Sequence, residues 1–143
     1  MSTPIAPRLE AADVQAILDR SPFISWLGLR VVALDHERSE ITMTMPLRAE
    51  LERGAGTRQF HGGPLAAFID TVGDFAIGIA VGGGVPTVNL RVDYLRPAIG
   101  DALTATARVR RAGRTFAVVD IDVMQPDGKL VAVGRGTYLS QRG

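Results

Sequence analysis

The chain has no cysteine, and its 143 residues include only two histidines, one tryptophan and two tyrosines. Without cysteine there can be no disulfide framework, thiolate zinc site or cysteine nucleophile. His36 and His61 stand far apart with no carboxylate at ligand spacing, which argues against a catalytic metal. Charge of one sign is not in excess, since 16 Lys and Arg face 15 Asp and Glu for a net charge of +1. With no basic field and no aromatic interleaving, neither nucleic acid nor an anionic membrane is an expected partner. The N-terminus shows no charged region followed by a long apolar run. The least polar stretch, Phe75 to Val88, is broken by glycines and a proline, so neither a signal peptide nor a membrane span is expected. No internal repeat is present. A composition of 46% hydrophobic and 22% charged residues fits one cytoplasmic domain covering residues 1–143.

Within that domain, residues 1–22 read as an N-terminal helical extension, with Leu9, Val14, Ile17 and Leu18 at helical spacing and Arg20, Ser21 and Pro22 as the stop. Phe23 to Leu27 is a short apolar patch. Leu29 to Leu34 and Glu40 to Met45 read as a hairpin joined through Asp35-His36-Glu37-Arg38, a polar turn that puts His36 on the surface. Leu47 to Phe60 is an irregular loop, long enough to suggest function. From Gly63 to Val81 the period changes to 3.6, with a bulky stripe of Leu65, Phe68, Ile69, Val72, Phe75, Ala76 and Ile79. A second face gathers Gly63, Ala66, Ala67, Asp70, Gly73 and Asp74, small enough for another backbone to come close. Gly82-Gly83-Gly84 ends this helix. Thr87 to Leu95, Ala102 to Arg111, Thr115 to Met124 and Lys129 to Leu139 then read as strands, the last three in an antiparallel meander. The fold class is α+β, an antiparallel sheet wrapped round one long helix.

The chemistry points to His61-Gly62-Gly63-Pro64 and Asp70. Pro64 suits a first helical turn, which leaves the Gly62 and Gly63 amides pointing outward at a helix N-terminus, where negative charge is stabilised. An oxyanion hole fits there, although a plain glycine-rich helix entry has the same pattern. Asp70 lies among Phe68, Ile69, Thr71 and Val72, where a carboxylate lines a cavity or an interface or else turns to solvent. Lining a cavity, it could serve as general base or nucleophile. Asp74, one turn on, either assists it or faces solvent, the simpler expectation. Nine residues of helix separate His61 from Asp70 by about 13 Å, too far to meet one carbonyl. Two antiparallel helices crossing near Ala66 and Ala67 would bring Asp70 of one subunit beside Gly62 of another, hence a homodimer with two composite sites.

These residues resemble the hotdog-fold thioesterases of the phenylacetate-degradation type over Phe23 to Leu139. The matching elements are H-G-G with the aspartate nine residues after the histidine, T-V-N-L-R-V-D-Y-L-R-P-A from Thr87 to Ala98, Gly100, the turn Ala112 to Thr115, and D-G-K-L-V-A-V-G-R-G-T-Y from Asp127 to Tyr138. The resemblance implies hydrolysis of an acyl-CoA thioester to free CoA and a carboxylic acid. Asp70 would activate water or attack the thioester, the Gly62 amide would hold the oxyanion, His61 would support that loop and Thr87 would help hold the water. Gly63, Arg58, Asp74, Asn89, Arg96 and Arg114 are candidates for substrate contact. No cofactor is implied, since CoA belongs to the substrate, and the family is commonly a dimer of dimers. Many relatives carry an asparagine where this chain has Ala55 and a glycine where it has Arg58, so either activity is lowered by the lost donor, or Gln59 or Arg58 replaces it, or the natural substrate is unusual. A catalytically weak acyl-CoA-binding sensor is the alternative, and a hydratase fits the local motif less well. Trp26, Leu51, Phe60 and the loop from Leu47 to Phe60 are expected to close over the acyl group.

Overall fold

The computed structural model describes residues 7–142. Helices α1 (Ala11–Arg20) and α2 (Pro22–Leu27) precede strands β1 (Arg30–Asp35) and β2 (Glu40–Pro46). A 3-10 turn at Ala49–Leu51 leads to α3 (Gly62–Val81), and β3 (Thr87–Tyr94), β4 (Ala102–Ala112), β5 (Phe116–Met124) and β6 (Leu130–Leu139) follow. All neighbouring strands are antiparallel, in the order β1-β2-β4-β5-β6-β3. The expected hairpin and late meander are both present, within one or two residues at their ends. The topology adds that β3 crosses to the far side of β6 and becomes an edge strand.

No member of the bulky α3 stripe is more than 4% exposed. Each large side chain buried this way contributes roughly 1.5–3 kcal/mol over leaving it in water. By length and composition α3 could cross a bilayer, yet it is largely buried inside this chain, with its stripe laid on the sheet. The sheet receives it by alternating inward apolar residues, such as Ile41, Met43 and Met45 on β2 and Val119, Ile121 and Val123 on β5.

Two glycines set how closely the layers approach. At Gly134 the Ile69 side chain occupies the place a Cβ would take, and at Gly73 the Tyr138 hydroxyl does. Part of the small-residue face of α3 is therefore used within the chain, by the fully buried Tyr138. Gly73→Ala is expected to destabilise the protein by about 1–3 kcal/mol through overpacking, seen as a lower urea midpoint with unchanged m.

The N-terminal segment belongs to the core, since Val14 and Leu18 are at most 2% exposed and the Leu9 amide donates to the Ile79 carbonyl at 2.9 Å. Residues 1–6 of the expected extension lie outside the described residues. The patch at Phe23 to Leu27 is a short helix opened by Pro22 at its first position. His36 departs from the surface position expected of it: its side chain is 19% exposed, with Nε2 3.3 Å from Glu10. A turn that is polar in sequence is here covered by the start of α1. Leu51 and Phe60 are core residues at 2% and 3% exposure, while Trp26 stacks under the Arg48 guanidinium 4.7 Å from its ring centre.

Candidate active site

His61 is the N-cap of α3, with φ −64° and ψ 151°. Its amide donates to the Leu51 carbonyl at 2.7 Å, and its Nδ1 accepts the Gly63 amide at 3.3 Å. An accepting Nδ1 leaves the ring proton on Nε2. This corrects the expectation of two outward amides, because His61 occupies that of Gly63. The Gly62 N–H has no acceptor among the described residues, as the first amide of a helix lacks one within the helix. Gly62 lines a cleft of about 370 Å³ with apolar walls from Phe60, Leu65 and Tyr94 and polar ones from Arg53, Gln59 and Arg96. Neither arginine is ion-paired among the described residues. A donor at a helix N-terminus beside two arginines favours an anion or a developing oxyanion.

Two turns along α3, Asp70 is half-buried and accepts the Thr87 hydroxyl at Oδ1, at 2.8 Å. The Tyr138 hydroxyl donates to its backbone carbonyl at 3.1 Å. Burial, with the Asp70 and Asp74 charges nearby, pushes the Tyr138 phenol well above its usual range, so it remains a donor. Asp74 does not face solvent as expected. It packs under the loop into β3, where the Val85 amide donates to its Oδ1 at 2.7 Å. Burial raises its pKa from 3.8 to about 7; the Val85 bond opposes the rise and the Asp70 charge adds to it. Gly62 and Asp70 remain about 12 Å apart along one unbroken helix.

The thioesterase-superfamily family model matches residues 59–132. A Halobacterium salinarum protein, provisionally named an esterase, is 38% identical over 139 residues, 90% of each chain. The acyl-coenzyme A thioesterase PaaI of Escherichia coli is 35% identical over 114 residues, 77% of this chain and 76% of that one. A solved structure of E. coli PaaI superposes with a TM-score of 0.76 at 28% identity, covering 92% of both chains. The chain belongs to the thioesterase superfamily. This thioesterase is a hotdog-fold, PaaI-like thioester hydrolase.

Its remaining candidates fall at different ends of the molecule. Arg96 shares the cleft with Gly62, whereas Arg114 lies by a depression of about 300 Å³ with Arg142, near the start of β3. Asn89 is exposed on the free edge of β3. Arg58 turns from the cleft and ion-pairs with Asp101. Its φ of +58° is left-handed backbone, a conformation that glycine adopts more readily than arginine. The thioesterase thus retains Gln59, not Arg58, as the side-chain amide in the cleft, while Ala55 sits exposed in a turn with no donor to offer. Arg91 and Arg110 pair with Asp93 and Asp120 on the sheet surface. Sequence reasoning missed Arg53 and Tyr94. The Tyr94 hydroxyl donates to the Gly62 carbonyl at 2.8 Å, a contact between positions 32 residues apart.

Proposed function

We propose that this thioesterase hydrolyses acyl-CoA thioesters at two composite sites of a homodimer. The observation that carries this reading is the way β3 runs along α3. Its first residue, Thr87, holds Asp70, and its last, Tyr94, holds Gly62. The other edge of β3 has no partner strand among the described residues. If two such edges pair antiparallel about a two-fold axis, the Thr87 end of one strand meets the Tyr94 end of the other. The partner's Asp70 then faces Gly62 across one cleft, which a single chain cannot achieve over 12 Å of helix.

In that site the Gly62 N–H receives the negative charge that develops on the thioester oxygen. The partner's Asp70, oriented by Thr87, takes a proton from the attacking water, the C–S bond breaks, and CoA leaves with a proton while the acyl group becomes a carboxylic acid. Direct attack by Asp70, through an acyl-aspartyl anhydride, uses the same geometry. Arg96 at one end and Arg114 at the other are the candidates for contact with the phosphates of CoA. The test is thiol release from aryl and medium-chain acyl-CoAs. Release dependent on enzyme concentration is expected; tight acyl-CoA binding without release would overturn hydrolysis in favour of a sensor. Trapping with hydroxylamine during single turnover separates the two routes, because only direct attack forms a covalent acyl intermediate on Asp70.

A further inference from the structure

Two successive glycines make a poor mounting for an oxyanion donor. Glycine peptides reorient easily, whereas a donor that lowers a barrier must already be aimed when charge develops. The supports of the α3 entry are unequal. Before Gly62, the His61 amide is tied to Leu51 at 2.7 Å. After it, His61 Nδ1 holds the Gly63 amide at only 3.3 Å. The shorter tie on that side is the Tyr94 hydroxyl, 2.8 Å from the Gly62 carbonyl.

We propose that Tyr94 is a positioning residue for the oxyanion hole: its hydroxyl and His61 Nδ1 grip the Gly62–Gly63 peptide from opposite sides, so that the Gly62 N–H keeps its aim into the cleft. This rests on the reading of Gly62 as the oxyanion donor. Three further observations support it. Tyr94 pairs with Ala132 of β6, so its backbone is held by the sheet rather than by the loop it steadies. Its ring lies 3.4–3.5 Å from where a Gly62 Cβ would stand, so it covers that glycine and walls the cleft. Its side chain is not part of this chain's own core, since Tyr94 is 53% exposed within the single chain.

The experiment compares Tyr94→Phe in two backgrounds, wild type and Gly62→Pro, with Asp70→Asn as a control. Loss of one hydrogen bond is expected to lower kcat about three- to tenfold, with KM changed less than about twofold and little effect on thermal stability. In the Gly62→Pro background, which has no N–H to aim, the same substitution is expected to have no further effect on kcat. An equal loss in both backgrounds, a rise in KM alone, or unaltered kinetics would each overturn the proposal. If Gly62→Pro itself retains full activity, the assignment of Gly62 fails instead, and the two failures are told apart. Independently of turnover, amide hydrogen exchange at Gly63 is expected to quicken severalfold in Tyr94→Phe; unchanged exchange would also overturn the clamp.

Discussion

Chains carrying Asp70→Asn and chains carrying Gly62→Pro, each nearly inactive alone, are expected to recover about a quarter of wild-type activity when co-expressed. Asp70→Asn removes the basic oxygen while keeping the size of the side chain and an acceptor for Thr87, so a loss of roughly a hundred- to ten-thousandfold is expected. Gly62→Pro removes one N–H and little else. Position 62 opens the helix, where proline is well tolerated, and His61 at ψ 151° already has the backbone that proline demands of its predecessor. Loss of that donor should lower kcat roughly a hundred- to a thousandfold. Random pairing makes about half of the dimers mixed. In each mixed dimer one composite site carries both substitutions and the other carries neither, which leaves about one site in four intact. Thiol release at the single-variant background would show that each site lies within one chain, and the composite reading would fall.

Asp74→Asn is expected to stabilise the protein at pH 8 and leave it nearly unchanged at pH 4. The Asp74 pKa rises from 3.8 to about 7 on folding. Below about pH 4 both states hold the proton, and the side chain carries no penalty. Between about pH 4 and 7 the unfolded carboxyl ionises while the folded one stays protonated, so stability falls as pH rises and levels off above about 7. At about 1.4 kcal/mol per unit, that window amounts to about 4 kcal/mol. Partial exposure of Asp74 reduces it, and a gain of about 2 kcal/mol for the variant at pH 8 is a reasonable expectation. Asparagine keeps an oxygen for the Val85 amide and has no charge to desolvate. Urea midpoints of both proteins across this range measure it; parallel pH profiles would mean that Asp74 ionises freely in the folded state.

Local periodicity carried much of the reading. The stripe from Leu65 to Ile79 and the alternation in β4 to β6 are short-range patterns, and a residue's neighbours at three, four or two positions fix which face it takes. The proline and glycines at the α3 entry likewise marked a helix start without reference to the rest of the chain. The nine-residue gap from His61 to Asp70 did more than mark a motif, since helix rise alone separates the two groups. What sequence did not display was anything set by contacts across long separations. Asp74 has the same place on the helical wheel whether or not the loop at Gly84 and Val85 covers it, and only the fold covers it. Arg58 could as well have entered the cleft; its left-handed backbone and the carboxylate of Asp101 direct it elsewhere.

The lack of cysteine, the two distant histidines, H-G-G and Asp70 by themselves point to a carboxylate and a helix-terminal amide, because these follow from residue types and short spacings. Tertiary structure decided which end of β3 each group meets, with Thr87 at Asp70 and Tyr94 at Gly62. Strand order depends on pairing between segments far apart in the chain, and no local pattern in Thr87 to Tyr94 specifies that its neighbour is β6 and that, among the described residues, it forms the end of the sheet.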